Sequence, residues 1–238
     1  MQLYIEFSAK NLCLPIAYRH FVQGMIYDAL RADPIFSAAV HNGTLSPEQR
    51  TFKFFTFGQL EGPFTVEEKQ IHFHDRVSLE IRSINTQLML LLLNAFPAGK
   101  ALRLGTNTIY VQKCSFENRV ISTNEIVVQS RSPMVAFRTL PDGQTRFFSP
   151  EEELFYRLLC ANAKRKWEFL HKTQPFPGLS ITPVGTVFKK QVTSFKDTLI
   201  TAWGGHFRLK GTPDLLTTLY NVGLGAKSSQ GFGMFDFV

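Results

Sequence analysis

The chain has 238 residues, which is long for one small domain and comfortable for two of about 100 residues each. Hydrophobic residues make up 44% of it and charged residues 19%, so packed cores are expected and disorder is not. A formal net charge of +7 favours a polyanionic partner, of which nucleic acid is the commonest.

The cysteines and the apolar segments indicate the compartment. Cys13, Cys114 and Cys160 are far apart and odd in number, without the CxxC spacing of a zinc site, so we expect reduced thiols. The apolar run over residues 88–93 is too short to cross a bilayer, because a spanning helix needs about 20 apolar residues. We therefore expect a soluble cytoplasmic protein with no membrane partner and no cofactor.

The first half of the sequence predicts a βαββαβ order. Leu3, Ile5 and Phe7 alternate with polar neighbours, which is the period of a half-buried strand. The later elements are a helix over residues 19–31 ended by Pro34, paired strands over 52–57 and 71–73, a helix over 84–95 ended by Pro97, and a strand over 108–111.

The second half repeats this plan. A helix is predicted to open at Ser149 with Pro150 in its first turn, and the acids of residues 151–153 are interpreted as complementing the helix dipole rather than binding metal. The other elements are strands near 125–128, 135–137, 180–188 and 198–209, a short helix capped by Thr212, and a closing strand from Phe235. We predict an α+β protein of two tandem ferredoxin-like (RRM-like) domains, over residues 1–118 and 119–238.

Residues 223–233, GLGAKSSQGFG, stand between the last predicted helix and the last strand. Gly223 is placed as a helix C-cap, and the remaining glycines exceed what one turn needs. A dinucleotide fingerprint or a Walker A loop would precede a helix, and this loop follows one. Two interpretations of the loop remain, a phosphate- or nucleic-acid-binding loop and a structural turn. The predicted RNA-binding residues of this segment are Gly223, Gly225, Lys227, Ser228, Ser229, Gly231 and Gly233.

The ending GLGAKSSQGFGMFDFV closely resembles the C-terminal signature of the CRISPR-associated endoribonucleases that cut repeat RNA (Cas family six of the RAMP superfamily). In that family the loop lies between the last helix and last strand of a second ferredoxin-like domain. Residues 201–225 resemble the family's last long strand and helix, Ser132-Pro133-Met134 its Ser-Pro-apolar turn, and residues 18–30 its first helix. The resemblance covers essentially the whole chain.

This resemblance implies a metal-independent endoribonuclease that cuts CRISPR precursor RNA within its repeats to release guide crRNAs. RNA carries its own nucleophile, the 2′-hydroxyl, and cleavage would leave a 2′,3′-cyclic phosphate and a 5′-hydroxyl. Histidine suits the proton transfers, and lysine suits the developing phosphate charge. A metal-dependent nuclease would need clustered carboxylates, and the sequence has no DxD pair, so no metal is expected.

The resemblance also implies the catalytic residues. His41 in AAVHNG occupies the place of the family's histidine, and Tyr27 and Lys53 match its tyrosine and lysine. His41 is then the principal acid or base, Tyr27 assists at the 2′-hydroxyl, and Lys53 stabilises phosphate charge. His20, two helical turns before Tyr27, is the rival histidine, and Lys53 could instead protect an edge strand from aggregation.

Other histidines and the basic clusters each have a structural interpretation as well as a functional one. His72 and His74 are predicted to share a strand face without a third metal ligand, and His206 either lines an RNA path or ends a strand turn. Residues 164–166, KRK, are interpreted as a solvated helix face. RNA contacts are predicted on the strands that, in the family, form a hairpin beside the glycine-rich loop, at Lys189, Lys190, Arg208 and Lys210.

The expected partner is CRISPR repeat RNA, both the precursor and the mature crRNA. Subunits of a CRISPR interference complex are a further expected partner, and the protein is expected to be a monomer or a homodimer. Two alternatives stay open at this point: a non-catalytic RAMP-type RNA-binding subunit of an effector complex, and an RNA-binding protein unrelated to CRISPR.

Overall fold

The computed structural model describes residues 1–34, 36–38, 44–45, 51–195 and 198–238, with backbone alone at 44–45 and 51–52. The chain forms two compact units, Met1–Asn118 and Arg119–Val238. Each unit has its own buried core between helices and an antiparallel sheet. No helix among these described residues is both long enough and apolar enough to span a membrane.

The main sheet of the first unit has the order β5-β8-β1-β10-β9, and all neighbouring strands in it are antiparallel. Without the edge strand β9, this is the strand order of a ferredoxin-like βαββαβ unit. Its elements are β1 (Gln2–Ser8), β2 (Leu12–Pro15), α1 (Arg19–Ala29), a 3-10 turn (Leu30–Ala32), β3 (Thr44–Leu45), β4 (Thr51–Phe52), β5 (Phe55–Phe57), β6 (Phe64–Glu67), β7 (Gln70–Phe73), β8 (Arg76–Ser83), α2 (Thr86–Ala95), β9 (Ala101–Leu104) and β10 (Asn107–Glu117).

Alternation and capping account for these elements. Leu3, Ile5 and Phe7 of β1 are fully buried, which confirms the predicted strand face. Helix α1 buries Val22, Met25 and Ile26 at helical spacing against the same core. At the start of α2 the Asn85 side chain accepts a hydrogen bond from the Leu88 N–H at 3.0 Å and caps the helix. The bounds of α1 and α2 confirm both predicted helices to within two residues.

One predicted strand pairing in this unit is wrong. The sequence predicts that residues 52–57 pair with 71–73, whereas β5 pairs with β8. Strand β7 pairs instead with β2 and β6 in a separate three-stranded sheet. Strand β8 has eight residues and lies between β5 and β1, with Val77, Leu79 and Ile81 on its buried face.

The main sheet of the second unit has the order β14-β17-β11-β18, again that of a ferredoxin-like unit. The predicted fold class, α+β with two tandem ferredoxin-like domains, is therefore confirmed. The elements of this unit are β11 (Glu125–Ser130), β12 (Phe137–Thr139), β13 (Thr145–Phe147), α3 (Glu153–Leu170), β14 (Ser180–Pro183), β15 (Lys189–Phe195), β16 (Thr198–Gly204), β17 (His206–Lys210), α4 (Pro213–Val222), a 3-10 turn (Ser228–Gln230) and β18 (Phe235–Phe237).

Three predicted strands of the second unit need correction. The single strand predicted over 198–209 is two strands, β16 and β17, which belong to different sheets and meet at Gly204 and Gly205. The strand predicted over 180–188 ends at Pro183, and β15 begins only at Lys189. The strand predicted over 135–137 is likewise displaced, because β12 begins at Phe137 and pairs with β13 outside the main sheet.

Helix α3 begins at Glu153 rather than at Ser149. The Ser149 N–H donates to Glu152 Oε1 at 2.9 Å, and Arg146 donates to Glu152 Oε2 at 2.8 Å, so Glu152 stabilises the turn before the helix. Only Glu153 of the three predicted acids lies in the first helical turn. The buried face of α3 then repeats every four residues, at Phe155, Leu159, Ala163 and Trp167.

Candidate functional site

Tyr27 and Lys53, which the sequence analysis assigned to catalysis, lie together in the first unit. Lys53 Nζ donates a hydrogen bond to Tyr27 Oη at 2.9 Å, and the same ammonium lies 5.1 Å from the centroid of the Tyr27 ring. Both residues are half-buried. Because the two residues are 26 positions apart in the chain, this contact depends on the fold and not on local sequence.

Packing against the sheet fixes both members of this pair. The Tyr27 ring meets the Phe55 ring edge to face at a centroid distance of 6.2 Å, and Phe55 is fully buried. Lys53 stands two residues before β5, and the intervening Phe54 has a φ of 45°. The Ser83 hydroxyl donates to the Phe54 carbonyl at 2.8 Å, which ties this turn to β8. Core packing therefore explains the Tyr27 ring, and the phenol oxygen is the part turned to Lys53.

Burial raises the pKa of Tyr27 to about 12. At neutral pH the phenol keeps its proton, and its oxygen accepts from the Lys53 ammonium. The pair therefore presents a cation and a polar hydroxyl group on one half-buried patch. Such a patch can bind a phosphate oxygen and a neighbouring hydroxyl.

Of the two candidate histidines, the structure describes His20. His41 lies outside the described residues, so its role stays a prediction from the sequence. His20 lies in the first turn of α1, with Nδ1 at 2.9 Å from the Ala17 carbonyl oxygen. Its ring lies 3.9 Å from the Phe21 ring, centroid to centroid. These contacts engage one nitrogen of His20 with the backbone.

The other histidines form no metal centre among the described residues, in which no group of three His, Cys, Asp or Glu side chains could hold an ion. His72 Nε2 lies 3.9 Å from Cys13 Sγ, whereas His74 follows β7 and lies 3.3 Å from Thr65 Oγ1. His206 is exposed as the first residue of β17. Metal independence itself stays a prediction.

The glycine-rich loop, residues 223–233, is largely buried, and its four glycines all have positive φ, from 74° to 88°. A Cβ at Gly225 would lie 2.7 Å from Leu159 Cδ2 and 2.8 Å from the Val135 carbonyl oxygen, and a Cβ at Gly233 would overlap the Leu224 carbonyl. Gly223 is the C-cap of α4, as predicted. Close packing therefore requires glycine at positions 225 and 233, and the φ of 86° favours glycine at position 231.

The Ser-Pro-apolar turn is the partner of this loop. The Gly233 N–H donates to the Pro133 carbonyl at 3.0 Å, and the Met234 N–H donates to the Ser132 hydroxyl at 2.9 Å. The Ala226 N–H donates to the Val135 carbonyl at 2.9 Å. Two segments that the sequence analysis noted separately thus form one hydrogen-bonded structure.

A lysine that the sequence analysis assigned to a solvated helix face lies under this loop. Lys166 is 5% exposed, and its ammonium donates to the carbonyl oxygens of Gly223 at 2.7 Å and Gly225 at 3.0 Å and to the Ser228 hydroxyl at 3.0 Å. Burial lowers its pKa to about 7. The interpretation of residues 164–166 as one solvated face is wrong for Lys166, because its position in α3 faces the loop. Ala163 and Trp167, its apolar neighbours, were the sequence signal that this face is buried.

The predicted RNA-binding lysines and arginine lie on two separate sheets and not on one hairpin. Lys189 and Lys190 are exposed at the start of β15, which pairs with β16. Arg208 and Lys210 project from the exposed side of β17, and each has a side-chain nitrogen 3.5 Å from a Glu125 carboxylate oxygen. RNA contact at all of these residues, and at the loop, stays a prediction.

Comparisons with known proteins give a consistent result. The family model described as CRISPR associated protein Cas6, C-terminal, matches residues 116–237. The chain is 24% identical to the CRISPR-associated endoribonuclease Cas6 of Pyrococcus furiosus, over 98% of this chain and 87% of that protein. It is 25% identical to the CRISPR-associated endoribonuclease Cas6 1 of Methanocaldococcus jannaschii, over 98% of this chain and 91% of that protein.

Several solved structures are similar over the full chain. A Cas6-related protein from Pyrococcus furiosus matches with a TM-score of 0.86 at 20% identity, covering 100% of this chain and 98% of that chain. A RAMP protein that binds different RNA substrates matches with a TM-score of 0.84 at 22% identity, covering 100% of this chain and 99% of that chain. These likenesses agree with the tandem ferredoxin-like fold.

Proposed function

Because this chain belongs to the Cas6 family of CRISPR-associated proteins, we propose that it is an endoribonuclease that cuts CRISPR precursor RNA within its repeats. The observation that carries the proposal is the 2.9 Å hydrogen bond from Lys53 Nζ to Tyr27 Oη. Two residues chosen from the sequence for phosphate and hydroxyl chemistry lie side by side, although 26 positions separate them. The curated relatives, which are endoribonucleases by name, support the same activity.

The proposed reaction uses the RNA as its own nucleophile. The 2′-oxygen attacks the adjacent phosphorus while a base takes its proton, and the bond from phosphorus to the 5′-oxygen breaks as an acid protonates that oxygen. The products are a 2′,3′-cyclic phosphate and a 5′-hydroxyl. We propose that no metal ion takes part, because protein side chains can supply both proton transfers and the stabilising charge.

Each candidate residue has a role that fits its chemistry. Lys53 supplies a cation for the negative charge that develops on the phosphate. Tyr27, whose pKa is raised to about 12 by burial, keeps its proton and is suited to hold the 2′-hydroxyl by a hydrogen bond and unsuited to act as a base. Histidine is the residue with a pKa near working pH, so we assign the acid or base role to His41, with His20 as the rival.

RNA binding is proposed for the exposed basic residues and the half-exposed part of the glycine-rich loop. Arg208 and Lys210 flank Glu125, and a phosphate could replace this carboxylate as their anionic partner. Lys189 and Lys190 add charge on β15. In the loop, Lys227 and Ser229 have half-exposed side chains, whereas the buried glycines shape the backbone that carries them.

The test is cleavage of end-labelled repeat RNA by the purified protein in excess EDTA. A matched RNA carries a single 2′-deoxy substitution at the mapped cut. We expect cleavage to persist in EDTA, to stop with the deoxy substrate, and to leave a 5′-hydroxyl that a kinase labels without prior dephosphorylation. These three results together identify attack by the 2′-hydroxyl.

Two outcomes would overturn this proposal in different ways. Cleavage that EDTA abolishes and that leaves a 5′-phosphate would indicate a metal-dependent nuclease. Tight binding of the repeat RNA without cleavage under any condition would indicate a non-catalytic RNA-binding subunit.

A further inference from the structure

One of the two half-exposed segments of the glycine-rich loop lies between two contacts with a single buried ammonium. Lys166 Nζ bonds to the Gly225 carbonyl at 3.0 Å and to the Ser228 hydroxyl at 3.0 Å, and Ala226 and Lys227 are the two residues between them. Ala226 and Lys227 are half-exposed, whereas Gly225 and Ser228 are buried. Lys166 therefore clamps the loop on both sides of Lys227.

The clamp connects two elements of the second unit. The Lys166 ammonium donates to the Gly223 carbonyl at 2.7 Å and lies 3.4 Å from the Val222 carbonyl oxygen, so it gathers oxygens from the end of α4 and from the loop. An apolar side chain at this position would leave these buried oxygens without their donor. Each such loss costs about 1–3 kcal/mol, enough to make the loop rearrange.

Lys227 has a backbone conformation that residues with a Cβ adopt only rarely. Its φ of 60° lies in the left-handed region, which is uncommon for a residue with a Cβ. Its ammonium lies 5.3 Å from the centroid of the Phe137 ring, so the side chain has a defined direction. A cation with a fixed backbone and a fixed direction can meet a phosphate at little entropic cost.

We propose that Lys166 is a positioning residue for RNA binding, which acts by holding the glycine-rich loop so that Lys227 is presented to an RNA phosphate. The inference rests on the proposed function, because it assumes that repeat RNA is the ligand. It goes beyond that function in assigning a role to a buried residue that itself touches no RNA. Lys227 is the contact, and Lys166 controls its position.

A double-mutant cycle tests whether Lys166 acts through Lys227. The Kd for repeat RNA, with a 2′-deoxy substitution at the mapped cut, is measured for wild type, Lys166→Met, Lys227→Ala and the double variant. We expect each single variant to weaken binding by at least about fivefold, and Lys166→Met to weaken it by less than about twofold once Lys227 is already alanine. Lys164→Met is the matched control, because Lys164 is exposed on the same helix and pairs with Glu168.

A merely structural role would give a different pattern. In that case Lys166→Met would lower the melting temperature and leave the Kd unchanged at a temperature where the protein stays folded, and the inference would be wrong. Equal effects of Lys166→Met with and without Lys227 would also overturn it. Wild-type protein that binds no repeat RNA would overturn the proposed function and the inference together, whereas the other two results leave the proposed function intact.

A second variant covers the case in which Lys166→Met does not fold. Lys166→Gln keeps a donor amide of shorter reach, so it retains part of the clamp. The same cycle with Lys227→Ala is then expected to show a smaller loss of affinity that again disappears in the alanine background. A loss that persists in that background would contradict the inference.

Discussion

The two units have the same strand order, yet each uses a lysine in a different way. In the first unit Lys53 is half-buried and donates to a phenol, so its charge remains near the surface. In the second unit Lys166 is buried and donates to oxygens of the glycine-rich loop. The first lysine is proposed to act on a bound RNA phosphate, whereas the second holds the backbone of the loop.

The role of each lysine follows from its burial and its hydrogen-bond partners. In the sequence, resemblance to a family selects Lys53, whereas the basic neighbours of Lys166 indicate a solvated helix face. The structure shows that Lys166 is buried with backbone oxygens as partners. The proposed function assigns reaction chemistry to the first unit and RNA binding by the glycine-rich loop to the second. Variants that affect cleavage at saturating RNA should therefore lie in the first unit, and variants that affect affinity or loop packing should lie in the second.

The largest effect is expected at His41. Replacing a general acid or base removes about 10²- to 10⁴-fold in rate, so His41→Ala should lower single-turnover cleavage at saturating RNA by that factor. His74→Ala is the control, since the His74 ring contacts the Thr65 hydroxyl and is assigned no catalytic role. A His41→Ala protein that cleaves within threefold of wild type would exclude His41, and loss of cleavage in His20→Ala would then favour the rival.

The next effect concerns the loop glycines. Gly233→Ala should destabilise the protein by more than about 3 kcal/mol, because a Cβ there overlaps the Leu224 carbonyl in addition to the cost of a φ of 74°. Gly143→Ala is the matched control, with a φ of 82° and open space around the added carbon. It should cost only about 1–2 kcal/mol. Urea denaturation measures both, and equal costs would refute the packing account of the loop.

The third effect is a dependence of stability on pH at Lys166. Its pKa is about 7 in the folded protein and 10.5 in the reference state, so the unfolded chain binds more protons between these values. The contribution of Lys166 to the free energy of unfolding therefore rises with pH above 7, by up to about 1.4 kcal/mol per pH unit. Below pH 7 the ammonium is charged in both states, and the cost of burying that charge is fully present.

This prediction is read from the difference in unfolding free energy between wild type and Lys166→Met at pH 7 and pH 9. The difference removes the titration of all other groups. We expect it to shift in favour of wild type at pH 9, while Lys164→Met follows wild type at both pH values. A difference that does not change with pH would mean that the pKa of Lys166 is not lowered, because its hydrogen bonds to the loop oxygens hold the charged form.

The smallest effect is expected at the exposed basic residues of β17. Each lost phosphate contact should lower the slope of log K against log salt by about 0.7 for single-stranded RNA. Arg208→Ala and Lys210→Ala should each show this change with a modest loss of affinity. Arg157→Ala is the control, because Arg157 is an exposed arginine paired with Glu153 on α3. Unchanged slopes at Arg208 and Lys210 would remove both from the RNA path.

Local patterns in the sequence were sufficient to predict much of the fold. The alternation of Leu3, Ile5 and Phe7 gave β1, and helical spacing gave α1 and α2. Pairing was harder, because an apolar strand such as β7 matches the pattern of the main sheet without belonging to it. The continuous apolar pattern of residues 198–209 also concealed a change of sheet at Gly205.

The candidate site was predictable only in part. Resemblance to a family placed Tyr27 and Lys53, whose contact the structure adds. Lys166 was missed because it adjoins Lys164 and Arg165 in a basic run, and its partners are backbone oxygens that leave no mark in the sequence. Interactions with the backbone are set by tertiary packing, so residue type alone does not reveal them.

Tyr27 and Lys53 are proposed to act as one unit in RNA cleavage. The most direct test of this claim is a double-mutant cycle of single-turnover cleavage at saturating RNA with Tyr27→Phe, Lys53→Met and the double variant, beside Tyr110→Phe as an exposed tyrosine control. We predict that each single variant lowers the rate at least about tenfold and that the double variant is little slower than the slower single variant. Single variants that cleave within threefold of wild type would contradict the claim.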